Sequence, residues 1–354
     1  MSEAENPAAQ LLCVLGAGFT RAFVPTAPLM IDDYGIDDLL ERFRTFHHAA
    51  KILRTSRLAD GRVDVEALLT RLDGCMPYDF DRGADSELTS LFGAVRDRLT
   101  DKITQSQSSV DRVTELERFA AMCVQRRISC ITFNYDDVLD QRLWRFRGLT
   151  RIQRQDIDYW HPDGGYGFFC PPSSYCVDRQ VLSMDKTSMQ LLKLHGSLNW
   201  RVRRGYNRPL PVDAIVHHED WYPGEASAEQ ISGHLEALPL VVPPVLLKAE
   251  LVAQPVMRLV WSKAYEALRK AASIVFLGYS MPSTDIAARF LFSEAIGRDR
   301  VGIIQVVGLA EDEAAQGRFR QGYEVAFPNI RAAQFRYDGV LQWLSTLDPV
   351  NPAV

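Results

Sequence analysis

The chain alternates between short, unbroken apolar runs and longer stretches in which apolar residues recur every three or four positions. Leu11-Leu12-Cys13-Val14-Leu15 is such a run, and it ends in Gly16-Ala17-Gly18. A strand covered by helices on both faces shows no polar alternation, so this run reads as a central parallel strand entering a tight turn. Ile128–Phe133, Leu191–Leu194, Ser273–Leu277 and Val301–Val307 have the same character. Between them the three-to-four spacing predicts helices: from Ile36 with Leu39, Leu40 and Phe43 on one face, over Val63–Leu72, Leu88–Leu99 and Val113–Val124, through Trp144, over Met257–Ala272 and Thr284–Ile296, and around Leu341–Leu344. Strand, helix, strand in this order predicts an α/β fold, a Rossmann-like doubly wound parallel sheet.

Several helices stand between the first two strands where a βαβ unit needs one. Residues 35–110 therefore read as a helical insertion or cap on a single domain spanning 1–354. Pro25-Thr26-Ala27-Pro28 is an extended link that cannot be helix interior. Residues 151–190 and 201–250, rich in glycine, proline and aspartate, read as irregular excursions.

Composition narrows the function classes. Of 354 residues, 47% are hydrophobic and 24% charged, as in an ordinary globular chain. A net charge of −5 speaks against strong direct nucleic-acid binding. No apolar run approaches the roughly 18 residues of a membrane span, and the polar first ten residues hold no signal-peptide core. The expectation is a cytoplasmic protein. The six cysteines form no C-x-x-C pair, which suggests neither a disulfide framework nor a zinc site, so no metal is expected.

The candidate chemistry lies where strands end. The groups are Gly16-Ala17-Gly18 with Phe19 and Thr20, Asn134-Tyr135-Asp136, His195-Gly196-Ser197, and Gly278-Tyr279-Ser280. In an open parallel sheet the strand carboxyl ends share one edge, and ligands bind in the crevice there. Each group also has a plainer reading. Asn134 fits a helix N-cap, Asp136 a helix first turn, His195 a satisfied core histidine, and Gly278 a strand terminator. Gly16 and Gly18 suit close approach of a phosphate to the main chain, although the third glycine of the dinucleotide fingerprint is replaced by Arg21. Asp285 fits either a cap on the next helix or a ligand contact, and Lys248 either a solvated charge or a phosphate contact. His217-His218-Glu219-Asp220 has the composition of a metal site, but adjacent histidines rarely face one ion.

Taken together the four groups resemble the sirtuin-like NAD-consuming family, which carries a Gly-Ala-Gly-x-Ser/Thr loop, a Thr-x-Asn-x-Asp segment, a His-Gly-Ser segment and a late Gly-x-Ser turn in that order. Here these are Gly16–Thr20, Thr132–Asp136, His195–Ser197 and Gly278–Ser280. The wording Thr-Phe-Asn-Tyr-Asp, Lys-Leu-His-Gly-Ser-Leu-Asn-Trp and Gly-Tyr-Ser-Met-Pro-Ser-Thr-Asp is similar to the bacterial branch found in anti-phage defence, without the zinc ribbon of the protein deacylases. The resemblance implies NAD as substrate. Asn134, His195 and Asp136 would be the catalytic residues, and Gly16, Ala17, Gly18, Phe19, Thr20, Gly278, Ser280 and Asp285 would contact the dinucleotide. It implies hydrolysis to nicotinamide and ADP-ribose by an effector held silent through homo-oligomerisation or a separate partner, such as an ATPase or a nucleic-acid-guided protein. A non-catalytic NAD- or ADP-ribose-binding module and a zinc-free deacylase are the alternatives.

Overall fold

The computed structural model describes residues 11–73, 86–153, 160–173, 189–206, 209–218, 233–242 and 253–347. In chain order the strands are β1 Leu11–Leu15, β2 Ile31–Asp32, β3 Val63–Asp64, β4 Ser129–Thr132, β5 Leu191–Lys193, β6 Gly196–Arg203, β7 Ile215–His217, β8 Leu235–Val241, β9 Ser273–Leu277, β10 Ile304–Val307 and β11 Phe335–Arg336. Six of them form one sheet in the order β11-β10-β9-β1-β4-β5, with every neighbouring pair parallel. The chain runs outward from β1 through β4 to β5, then returns to the other side of β1 and runs outward again through β9, β10 and β11. That is the order of a doubly wound Rossmann-like sheet, and the reversal falls at β1.

The apolar runs explain the sheet. Cys13, Val14, Ile131, Leu192, Ile274 and Phe276 are fully buried, because two series of helices sandwich the strands. Ala17–Phe23, Val113–Gln125 and Gly339–Ser345 contact one another, and Pro255–Lys270, Ile286–Ile296 and Glu313–Ala326 form the second contacting series. Right-handed crossovers on the two sides of β1 put these series on opposite faces. The register then positions the site. Leu15 pairs with Thr132 on one side and Leu277 on the other, and Thr132 pairs with Lys193. The four strands end level, so Gly16, Phe133, Leu194 and Gly278 leave the sheet side by side.

Residues between β1 and β4 build a second apolar cluster around Ile36, Leu53, Leu69, Leu91, Val95 and Leu99, joined by Tyr135 and Leu198 from beside the sheet. The helix expected over Val63–Leu72 begins only at Val65, because Val63 and Asp64 pair as β3 with β2. Ala17–Phe23, His47–Ser56 and Glu313–Ala326 are helices that the apolar spacing did not predict. The strand expected from Val301 begins at Ile304, after the 3-10 turn Arg298–Ile303. The largest correction concerns residues 201–250, where β7 and β8 flank β6 in an antiparallel sheet. Gly196 has φ +81°, and a Cβ there would lie 2.2 Å from the Leu240 carbonyl oxygen. Glycine lets the chain turn from His195 directly into β6 against β8. Among the described residues no helix is long and apolar enough to cross a membrane.

Candidate functional site

The first and last of the strand-end groups, the Gly16 and Gly278 turns, interlock. Gly16 N–H donates to Leu277 O at 3.1 Å, and Gly18 N–H donates to Gly278 O at 2.9 Å. A Cβ on Gly16 would sit 2.5 Å from Tyr279 Cα, and one on Gly278, where φ is +62°, 2.2 Å from Phe19 N. The two turns pass so closely that only glycine fits at these positions. Phe19 N–H donates to Gly16 O at 2.9 Å. The amides expected to cradle a pyrophosphate are thus engaged with their own neighbours, and in this arrangement the glycines hold the β1 and β9 turns together.

Thr20, Asn134 and Asp136 form a directional hydrogen-bonded chain. Asn134 Nδ2 donates to Gly16 O and to Thr20 Oγ1, each at 2.9 Å. Thr20 Oγ1 donates to Asp136 Oδ2 at 2.8 Å, and Val138 N–H donates to Asp136 Oδ1 at 3.2 Å. The Gly16 carbonyl only accepts, so it fixes which end of the amide faces it. Asn134 Oδ1, an acceptor, is left to the crevice. That crevice is lined by Leu15, Phe19, Thr20, Thr132, Asn134, Asp136, Leu139, Asp140 and Leu191 and encloses a cavity of about 10 Å³, room for about one water. Ligand pockets more often span roughly 300–1,000 Å³.

Under the crevice lies a group of buried charges. Lys193 Nζ is 3.2 Å from both carboxylate oxygens of Asp140 and donates to Asp136 O at 2.5 Å. Tyr166 OH donates to Asp140 Oδ1 at 2.6 Å, and Asn199 Nδ2 donates to the Tyr166 oxygen at 3.0 Å. Burial pushes the Asp136 carboxyl above the usual carboxylate range, opposed by Lys193 and Thr20. Burial and the nearby Asp140 push Asp137 up to about 6. Shifted carboxylates at a strand-end crevice are a mark of functional sites.

His195 leaves the neighbouring strand beside Phe133, since Leu194 N–H donates to Thr132 O at 2.9 Å. Its ring lies 5.2 Å from the Phe133 ring and 5.9 Å from that of Tyr135. Residues two apart along an extended segment share a face. Phe133 and Tyr135 therefore face His195, while Asn134 and Asp136 face Thr20. The structure brings Asn134, Asp136, Thr20 and Gly16 together and sets His195 on the other side of the same short segment. Phe133 stacks on Tyr279 at 4.5 Å, whose hydroxyl donates to Asp285 Oδ2 at 2.9 Å. Asp285 occupies the N-cap position of Ile286–Ile296, yet its side chain makes no capping bond. Ser280 is exposed beside this aromatic group.

His217 is fully buried and pairs with Asp163 at 3.2 Å. Among the described residues no group of three or more metal-ligating side chains occurs; Glu219, Asp220 and Lys248 lie outside them. Cys13, Cys123, Cys130 and Cys170 are buried free thiols, and Cys75 and Cys176 lie outside the described residues. Lys193 and Asp140 are the site residues that motif reading missed. The signal was a lysine inside an apolar run.

No family model and no curated relative matches the chain. Solved structures that resemble it include Sir2Tm bound to a propionylated peptide, with a TM-score of 0.40 and 11% identity over 96% of this chain and 92% of that one. A structure on the basis of sirtuin substrate affinity gives 0.38 and 12% identity over 96% and 92%. One on the mechanism and regulation of Sir2 enzymes gives 0.37 and 11% identity over 90% and 92%. With scores this low, the fold rests on this chain's own sheet and the site on its own side chains.

Proposed function

We propose that this protein is an NAD glycohydrolase, cleaving the nicotinamide–ribose bond, and that it serves as the effector of a bacterial anti-phage system. The observation that carries the reading is the chain from Asn134 through Thr20 to Asp136, which presents a fixed amide acceptor to a crevice where the strand order reverses. Such an acceptor suits a ribose hydroxyl or a water rather than a phosphate. The bond to nicotinamide breaks with its electron pair leaving on the already cationic ring, through a transition state of oxocarbenium character. Water attacks the anomeric carbon, giving nicotinamide, ADP-ribose and one proton. Asn134 orients the water or the ribose hydroxyls and Asp136 holds the Thr20–Asn134 pair, while His195 takes the proton only from a ligand that reaches round the Phe133–Asp136 segment separating that imidazole from the Asn134 amide. Gly278 abuts Gly18 and Phe19 of the opening turn, and Ser280 is exposed two residues on; both are assigned to the dinucleotide. In the cell, control falls to homo-oligomerisation or to a separate ATPase or nucleic-acid-guided partner.

The small volume of the crevice favours one second reading, a binding module in which NAD or ADP-ribose regulates an assembly without being cleaved. The test is nicotinamide release from NAD with no acyl peptide present. Release that disappears in Asn134→Ala and in His195→Ala, each still folded, is the expected result. Measurable NAD binding with no release points to the module, and release that needs an acyl-lysine peptide points to a deacylase.

A further inference from the structure

Lys193 is the odd member of β5. It is 1% exposed in a buried parallel strand, where an ammonium is costly unless it is paired and hydrogen-bonded. Its Nζ reaches the main-chain carbonyl of Asp136 at 2.5 Å and both carboxylate oxygens of Asp140 at 3.2 Å. Asp140 lines the crevice. The Asp136 side chain continues the path upward, accepting from Thr20, which accepts from Asn134.

We propose that Lys193 is a positioning residue of the crevice: its buried ammonium pins the Asp136 turn through the main-chain carbonyl, balances the carboxylates of Asp136 and Asp140, and so keeps Asp136 an acceptor for the Thr20 hydroxyl that braces the Asn134 amide. Its bearing on turnover rests on the NAD-cleaving reading. An ionised Asp136 only accepts, so the Thr20 hydroxyl must donate to it and must accept from Asn134 Nδ2. A protonated Asp136 can itself donate to Thr20, which frees the Thr20 hydroxyl proton from Asp136 while the Gly16 carbonyl alone still fixes the Asn134 amide. The groups that face Asp136 are Lys193 from β5, Asp140 from Val138–Gln153, Thr20 from Ala17–Phe23 and the N–H of Val138, with Asp137 adjoining in the chain. Lys193 favours the ionised form, whereas burial and Asp140 oppose it. Removing Lys193 and removing Asp140 therefore move Asp136 in opposite directions, which a loss of packing does not do.

The full-length protein carrying 13C-carboxyl aspartate is titrated by NMR, with the Asp136 signal identified by its absence in Asp136→Asn. Lys193→Met raises the Asp136 midpoint by at least about one pH unit. Asp140→Asn, which keeps an acceptor for Nζ and for Tyr166, lowers it. In NAD cleavage the acid limb of the kcat/KM profile moves in the same two directions. Unchanged midpoints, or shifts of the same sign, overturn the proposal; where Lys193→Met does not fold, Lys193→Gln, which keeps a donor for the Asp136 carbonyl without the charge, is titrated in its place and the same rise is required. A wild-type protein that leaves NAD intact removes the functional reading, while the titration still judges Lys193.

Discussion

Two buried carboxylate groups in this protein behave in opposite ways. In the group beneath the crevice, Asp136, Asp137 and Asp140 crowd around one lysine, and burial pushes Asp136 and Asp137 upward. In the other, Asp163 Oδ1 lies 3.2 Å from both His161 Nδ1 and His217 Nε2. Burial pushes Asp163 up as well, but the two histidines pull harder and hold it at about 2. The residue type and the burial are alike; what differs is the supply of donors. The Asp163 group fastens the 161–171 segment to β7, with Cys170 N–H on Asp163 O and His217 N–H on Pro171 O. The crevice group keeps an excess of negative charge where the sheet reverses, an expense that stability alone does not explain.

The sharpest way to break that division is to neutralise one acid from each group. Asp136→Asn lowers NAD cleavage about a thousandfold, within the range for a lost catalytic hydrogen-bonding arrangement, and leaves melting nearly unchanged. Asp163→Asn does the reverse. A folded Asp163→Asn protein without turnover would join the two groups into one site.

Next in size is Asp163→Ala, which leaves two buried imidazoles without their carboxylate and costs about 3 kcal/mol. Chemical denaturation at pH 7 measures it. The linked pH effect follows from the sign of the shift. Asp163 lies at about 2 when folded against 3.8 for the unperturbed group, so its contribution is present above about pH 4 and lost as pH falls through 2. Asp137 runs the other way. It lies at about 6 when folded against 3.8, so its contribution is present below about pH 4 and lost as pH rises through 6. Asp137→Asn therefore stabilises the protein at pH 7 by about 3 kcal/mol, keeps an acceptor for Gln141, and flattens the stability profile between those limits. A variant no more stable than wild type at pH 7 would show that the crevice group is not strained.

Much of this arrangement was legible in the sequence, and the failures have physical causes. The strand ends were readable because β1, β4, β5 and β9 are buried on both faces and stop at glycine, asparagine or histidine. Convergence on one edge put His195 with Asn134 and Asp136; the period-two alternation along Phe133–Asp136, which turns Phe133 and Tyr135 toward His195 and Asn134 and Asp136 toward Thr20, was not read. Lys193 and Asp140 were missed because a charged residue reads as exposed unless its partner, 53 positions away in the chain, is known. The sheet of β6, β7 and β8 was missed because Gly196, read as an ending, begins a strand. Glu313–Ala326 was missed because Tyr323 is its one buried residue among those described, which leaves no apolar stripe to detect.

The smallest effect tests whether the two groups are separate at all. Tyr166 stands between them: it closes the short Pro162–Gly165 helix that carries Asp163, and its hydroxyl donates to Asp140 and accepts from Asn199. Tyr166→Phe keeps the ring against Trp160 and Trp200 and removes only the hydroxyl. One buried hydrogen-bonded group lost, with the partners' own desolvation partly uncovered, costs about 1 kcal/mol in stability. Lys193 still faces Asp140, so the crevice keeps its positive charge and the acid limb of NAD cleavage stays in place. A shift of that limb in Tyr166→Phe would mean that the crevice group draws on the loop anchored by Asp163, and the difference between a strained site and a settled anchor would then be one of degree along a single network.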